Sequence, residues 1–208
     1  MRTQLILAIL ILAGMAGVLS VTPDELLSAI KSDRTELVRA FLEGGNSPDV
    51  AYSGGMTALM ASSLLGRLEI TRLLLEHNAR IEPANAEGQT ALMFAAGNGH
   101  AEVLELLLKM GARLETEDRR GYTALMFAAG YNRLSTARLL LDRGANAGVK
   151  SNTGWTALMS AAAGGYRDMV LLLLERGALI NLQTSDTGTT ALISAAANGH
   201  LEVVRELL

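Results

Sequence analysis

Between Thr90 and Ala112 the chain carries two different kinds of apolar run. Ala91 to Gly97 reads Ala-Leu-Met-Phe-Ala-Ala-Gly, small and apolar throughout. After Gly99, Ala101 to Met110 places Val103, Leu104, Leu106, Leu107 and Leu108 at helical spacing, with Glu102, Glu105 and Lys109 between them. An apolar stripe interrupted by charges predicts an amphipathic helix with one solvent face. A run of small apolar residues predicts a helix that its neighbours approach closely. The pattern thus predicts a helix over Ala91 to Gly97 and a second over Ala101 to Met110. Thr90 stands where a hydroxyl can accept an orphan amide of the first turn.

The pattern then repeats. Thr57, Thr90, Thr123, Thr156 and Thr190 each sit in Gly-x-Thr-Ala-Leu, at spacings of 33, 33, 33 and 34 residues. Carried backwards, the register sets Asp24, Leu26 and Leu27 over the Thr, Leu and Met positions, so a more divergent unit precedes the first clear one. Six units result: 22–52, 53–85, 86–118, 119–151, 152–185 and a short 186–208. After the second helix the register presents Gly45, Asn78, Gly111, Gly144 and Gly177; between the helices it presents Gly66, Gly99, Asn132, Gly165 and Gly199. Gly and Asn accept left-handed backbone most readily, so these columns predict a bend repeated in every unit. A single unit cannot cover its own apolar stripe, and stacked units can, which predicts an elongated core in which each unit walls the next.

These residues resemble the ankyrin repeat. Asn85, Gly88, Thr90, Leu92, Ala95, Ala96, Gly99, His100, Glu102, Val103, Leu106, Leu107, Leu108, Gly111 and Ala112 fall on its pattern, and the register covers residues 22 to 208. The resemblance implies an all-α solenoid of helix-turn-helix units with projecting hairpin-like fingers, a concave groove, and no catalysis of its own. The chain departs from the pattern in two columns. The family's Pro is Ala58, Ala91, Ala124, Ala157 or Ala191, and its His is Met60, Met93, Met126, Met159 or Ile193. An apolar thioether contact is expected where the family has a polar bridge between units. "TALM" in place of "TPLH", with the N-terminal segment described next, resembles bacterial exported members. The fourth unit diverges most, with Asn132-Arg133-Leu134-Ser135-Thr136 after its first helix.

The N-terminus is of another kind. Arg2 precedes Leu5 to Leu19, a run with no charged or strongly polar side chain, short for the roughly twenty residues that cross a bilayer. Residues 1–20 are expected to be a secretory signal cleaved after Ser20, with cleavage after Ala16 or retention as a membrane anchor as the alternatives. Thr22-Pro23-Asp24-Glu25 is a capping box with Pro at the first helical position, and the polar first unit reads as a solvent-facing cap. The sixth unit reaches Leu208 without a Gly-Ala break.

Composition removes several functions. With 18 Lys and Arg against 21 Asp and Glu the net charge is -3, which lacks the dense positive field that nucleic acid requires. There is no Cys, hence no disulfide, thiolate nucleophile or cysteine metal site. The three histidines, His77, His100 and His200, are too far apart in the register to gather on one metal, and "GNGHAE" at Gly97 lacks the third Gly of a dinucleotide loop. No cofactor, metal or catalytic residue is expected.

Of eight aromatic residues, four fall in two columns: Tyr122 and Trp155 after the finger Gly, Phe94 and Phe127 after the Met of the first helix. In ankyrin-like architecture both columns face the groove, with Gln89, Arg119, Arg120, Asn152 and Thr153 around them. Asp118 aligns with the family's finger Asp and is expected to bond nearby amides, leaving Arg119 and Arg120 to face a partner. Phe94, Arg119, Arg120, Tyr122, Phe127 and Trp155 are therefore the expected partner-binding residues. The functional expectation is a monomeric, non-catalytic module, periplasmic or secreted, that binds another protein. The alternatives are a membrane-tethered scaffold and a secreted effector or enzyme inhibitor.

Overall fold

Every Thr-Ala-Leu segment starts a helix, and every leucine-rich run forms a second one. The computed structural model describes residues 22–208; the expected leader and its cleavage point lie outside the described residues. Among the described residues there are twelve α-helices in six pairs, one short 3-10 turn at Ser53–Gly55, and no strand. The α-helices are α1 (Pro23–Lys31), α2 (Thr35–Glu43), α3 (Ala58–Leu64), α4 (Leu68–Glu76), α5 (Ala91–Asn98), α6 (Ala101–Lys109), α7 (Ala124–Gly130), α8 (Leu134–Asp142), α9 (Ala157–Ala163), α10 (Arg167–Glu175), α11 (Ala191–Ala197) and α12 (Leu201–Leu207). α5 runs one residue beyond its expected end, and α6 stops at Lys109 with Met110 as its C-cap.

The odd-numbered helices pack on one another in chain order, as do the even-numbered ones, giving two parallel layers. Small side chains make the first layer tight: Ala95, Ala96, Ala128, Ala129, Ala161 and Ala162 are wholly buried. Leu74, Leu107, Leu140 and Leu173, one per unit at the same register position, are equally buried under the second layer. Burying each of these leucines contributes about 1.5–3 kcal/mol. The methionine column is buried as an apolar contact, with Met60, Met93, Met126 and Met159 at most 2% exposed. Ile193, in the same column of the sixth unit, is 51% exposed because no described unit lies beyond it.

The capping threonines are not equivalent. Thr57, Thr156 and Thr190 accept the amide three residues on, each at 3.2 Å. Thr90 and Thr123 keep the extended cap backbone without a hydroxyl bond, so the cap expected from Thr90 is not made by its side chain. At α3 the Met60 sulfur completes a capping box by accepting the Thr57 amide at 3.5 Å. The Thr22 and Glu25 box forms as expected, Thr22 donating its amide to Glu25 at 2.7 Å. Both Gly/Asn columns are left-handed, with φ between +63° and +95° after the second helix and between +54° and +83° between helices. In the first unit Asp33 takes the inter-helix position at φ +57°.

Three hydrogen-bonded ladders join the units. In the fingers, the amides of Ala86, Arg119, Asn152 and Ser185 donate to the carbonyls of Gly54, Glu87, Arg120 and Thr153. Between helices, Arg67, His100, Arg133 and His200 each reach back to a carbonyl at the end of the preceding unit's first helix, namely those of Lys31, Leu64, Gly97 and Ala163. After the second helix, carboxylates of Asp49, Glu82 and Glu115 accept the amides of Arg80, Arg113 and Asn146 at 2.8–2.9 Å. Two of the ladders skip the junction of the fourth and fifth units, where Tyr166 replaces the reaching residue and Gly148 the carboxylate. The junction of the third and fourth units is instead reinforced: Thr136 donates to the Ala96 carbonyl at 2.9 Å and Arg143 pairs with Glu105 at 3.1 Å.

Candidate functional site

The fingers and the first-helix layer make up the face expected to form the groove. The finger of the fourth unit is built on Asp118, which is buried and whose Oδ1 accepts the amides of Arg120 and Tyr122, both at 2.8 Å. Asn85 does the same work in the third unit, accepting the amides of Glu87 and Gln89. The second Asp118 oxygen is left for Arg120, whose Nε lies 3.6 Å away, and the Arg120 guanidinium covers the Tyr122 ring at 4.7 Å from its centroid. Arg120 is thereby held on its own finger while staying exposed. Arg119, also exposed, makes no ion pair among the described residues, and its side chain lies over Gly88, where a Cβ would come within 3.2 Å of Cγ.

Tyr122 in turn packs on Phe127, with ring centroids 6.1 Å apart and planes tilted by 53°. Phe127 and Phe94 both line a partly open cavity of about 400 Å³, together with Leu64 and Met93. Tyr131, Arg133, Gln89 and Asn98 complete its wall. Phe94, Tyr122, Phe127 and Trp155 are all half-buried against the core. Tyr131 is different: 61% of it is exposed, the largest aromatic surface among the described residues. Arg133 spends its Nε on the Gly97 carbonyl at 3.2 Å, which fixes the rest of its guanidinium at the cavity rim.

Of the six residues expected to bind a partner, then, Arg120, Tyr122, Phe127 and Phe94 form one connected series ending in the cavity. Arg119 stands on the adjoining finger turn. Trp155 lies one unit further along, outside the cavity, donating its indole N–H to Ser160 Oγ at 2.8 Å. Tyr131 and Arg133 are additions to the expected set. Arg133 belongs to a column that holds Arg, His, Arg, Tyr and His, so residue type did not mark it, and only its 33-residue spacing does. Tyr131 follows the short first helix where other units have Leu65, Asn98 and Gly164.

The histidines have structural partners. The His100 and His200 rings fill the space beside Gly66 and Gly165 and donate from Nε2 to backbone carbonyls at 3.0 and 2.9 Å. His77 Nδ1 donates to the Leu73 carbonyl at 2.9 Å, closing α4. A wider depression of about 780 Å³ at the ends of α4 and α6 is lined by Leu75, Arg80, Pro83 and Met110 and gathers no reactive set.

The model for ankyrin repeats (3 copies) matches residues 26–118 and 111–184, and that for ankyrin repeats (many copies) matches 168–208. Comparison with curated proteins gives no match. With a family match running along nearly all of the described stack and the paired helices, fingers and inter-unit ladders that accompany it, the chain belongs to the ankyrin-repeat family, whose units generally bind other proteins and act as non-catalytic scaffolds.

Proposed function

We propose that this chain is an exported binding module that captures another protein in the groove between its fingers and first helices, centred on the third and fourth units and extending to Trp155 in the fifth. The observation that carries the reading is the cavity walled by Phe94, Phe127 and Tyr131, with an exposed aromatic at its mouth. Large exposed aromatic surface beside a concavity is the usual form of an interface anchor. It stands at the junction with the most cross-links, so docking there orders little that is not already ordered. Export rests on the apolar run from Leu5 to Leu19 behind Arg2. Its destination is the periplasm or the exterior.

A photo-crosslinking residue placed at Asn98, in the cavity wall, is compared with one at Arg138, exposed on α8 in the outer layer. In an envelope extract or culture medium, position 98 is expected to trap a discrete partner protein and position 138 not to. Trapping from 138 alone contradicts the reading. Mass spectrometry of the mature chain checks export: a new N-terminus at Val21 is expected, and an intact Met1 terminus on membrane-bound protein indicates a tethered scaffold instead.

A further inference from the structure

We infer that the fifth and sixth units form one block that comes away from the first four before those unfold, with the junction of the fourth and fifth units as its point of opening. This opening does not depend on the groove reading above. In a stack where each unit touches only its neighbours, stability is close to a sum over units and junctions, so a junction with fewer bonds opens first. The second and third units are joined by His100, which donates to the Leu64 carbonyl at 3.0 Å, and by Glu82, which accepts the Arg113 amide at 2.8 Å. The fifth and sixth are joined by His200 on the Ala163 carbonyl at 2.9 Å and by Arg167, whose Nε donates to Glu206 at 2.9 Å. Between the fourth and fifth, the Gly130 carbonyl, next in the accepting column, receives no side chain among the described residues, and Gly148 offers no carboxylate to the Leu179 amide.

The fingers still cross this junction, with Asn152 donating its backbone amide to the Arg120 carbonyl and its side-chain amide to that of Arg119, both at 2.9 Å. Arg176 pairs with Asp142 at 2.7 Å, but the two side chains are 31% and 51% exposed, and an ion pair that wet contributes little. The missing reach is a matched change in three residues. Gly66 and Gly165 leave the room that the His100 and His200 rings fill, and a Cβ at either would collide with the ring. In the fourth unit that position is Asn132, at φ +54°, whose own side chain starts where the ring would lie. Tyr166, the residue due to reach, lies instead over Gly164 of its own unit, where a Cβ would collide with its ring. The turn between the helices of the fifth unit is thus gripped from the sixth but does not grip the fourth.

Once opened, the junction leaves two units on its far side. The sixth already shows Ile193 at 51% exposure on its free face, and the fifth gains a second uncovered face towards the fourth. Fewer than three units have no covered middle, so the pair unfolds as it leaves. The first four units keep the reaching bond and the carboxylate bond at all three of their junctions. The last of these is reinforced by Thr136 on the Ala96 carbonyl and by Arg143 with Glu105. Trp155 lies on the opening side, and Phe94 and Phe127 on the fixed one. A partner touching both sides holds the junction shut by mass action, a consequence that does rest on the groove reading.

Trp155 is the only tryptophan and reports on the fifth unit. Its fluorescence and the far-ultraviolet circular dichroism of the whole protein are followed through one urea titration. The fluorescence midpoint is expected about 0.5–1 M below that of the remaining helical signal, and about a third of that signal, from four of the twelve helices, should go with it. Hydrogen exchange at urea concentrations below the transition should place the amides of α9, α10, α11 and α12 on one isotherm and those of α3 to α8 on a second, slower one. Asn132→Gly, Gly148→Glu and Tyr166→His combined supply the ring, its room and the carboxylate, and should draw the two transitions together. Fluorescence that changes with or after the dichroism in the unaltered protein overturns the inference. An isotherm shared by α11 and α12 alone, with α9 and α10 exchanging as α7 and α8 do, also overturns it, by moving the point of opening to the junction of the fifth and sixth units. A gap that persists in the folded triple variant overturns the assignment of the opening to those three positions. No partner is present in these measurements, so no result among them bears on whether the groove captures a protein.

Discussion

Gly66 and Gly111 separate two reasons for a glycine, and alanine substitutions measure them apart. Gly111 follows α6 at φ +95°, and a Cβ built there meets nothing within 4 Å. Gly111→Ala therefore tests the left-handed backbone alone, for which an L-residue loses about 1–2 kcal/mol. Part of that is offset by the lower entropy of the unfolded alanine chain, so a net loss of about 1 kcal/mol is expected. Gly66 turns between α3 and α4 at φ +68°, and there a Cβ would lie 2.6 Å from His100 Cε1. Its alanine carries the same backbone cost and must also expel the His100 ring. That forfeits the bond from Nε2 to the Leu64 carbonyl, worth about 0.5–1.5 kcal/mol, and raises the expected loss to about 2–3 kcal/mol. Urea titration followed by circular dichroism reads both. With a slope of about 2 kcal/mol/M, Gly111→Ala moves the midpoint by about 0.5 M and Gly66→Ala by about 1–1.5 M. In a His100→Ala background the excess at Gly66 should vanish, leaving the two alanines equal. Asn, which holds the Gly111 position in the second unit as Asn78 at φ +63°, should cost less there than Ala. A neutral Gly111→Ala, or an excess at Gly66 that survives loss of the ring, refutes the argument.

Other outcomes follow from the same contacts. The junction of the fourth and fifth units lacks two of its three ladders, so in hydrogen exchange the amide of Leu179 should exchange faster than those of Arg113 and Asn146, which carboxylates hold; Gly148→Glu should restore the bond and add about 0.5–1 kcal/mol. The Tyr52 hydroxyl is buried without a hydrogen-bond partner, and burial, aided by Asp24, pushes its pKa up to about 12. Ultraviolet titration should show Tyr52 ionising above the ordinary tyrosine range, and Tyr52→Phe should be neutral or stabilising by up to about 1 kcal/mol. The Glu25 carboxylate is held below its ordinary pKa by its bonds to the Thr22 amide and hydroxyl. A depressed carboxylate stabilises the fold above its unfolded pKa, and that stabilisation is lost as pH falls through the folded value. Amide exchange in α1 should therefore accelerate on acidification, and Glu25→Gln should flatten that dependence.

Much of the fold was legible because period and backbone are the same information here. A left-handed turn admits few residue types, so Gly45, Asn78, Gly111, Gly144 and Gly177 wrote its position into the sequence. The finger bonds of Asp118 were legible for a similar reason, since a short acceptor is needed at that spacing. The ladder from residues 67, 100, 133 and 200 was harder to see. A carbonyl accepts equally from guanidinium and imidazole, so the contact persists while the residue type changes. The carboxylate ladder of Asp49, Glu82 and Glu115 does keep its chemistry at 33-residue spacing, and it is visible in the sequence once the period is applied outside the helices. At the candidate site the two aromatic columns led to the third and fourth units, where Phe94 and Phe127 line a cavity. Which rings meet was not legible, because it depends on side-chain direction: Phe127 turns to Tyr122 and the cavity, while Trp155 turns to Ser160. Tyr131 was missed because its column holds Leu65, Asn98 and Gly164 in other units, so no repeated residue type marks the position.

In the proposed function, the fingers and first helices of the third and fourth units hold the partner. Hydrogen exchange of the whole chain, free and bound to the protein trapped from position 98, tests it most directly. Protection is expected in the fingers around Glu87 and Arg119 to Tyr122 and at the ends of α5 and α7, with α6, α8 and α10 unchanged. Protection confined to those outer helices, with the fingers exchanging as in the free protein, would contradict it.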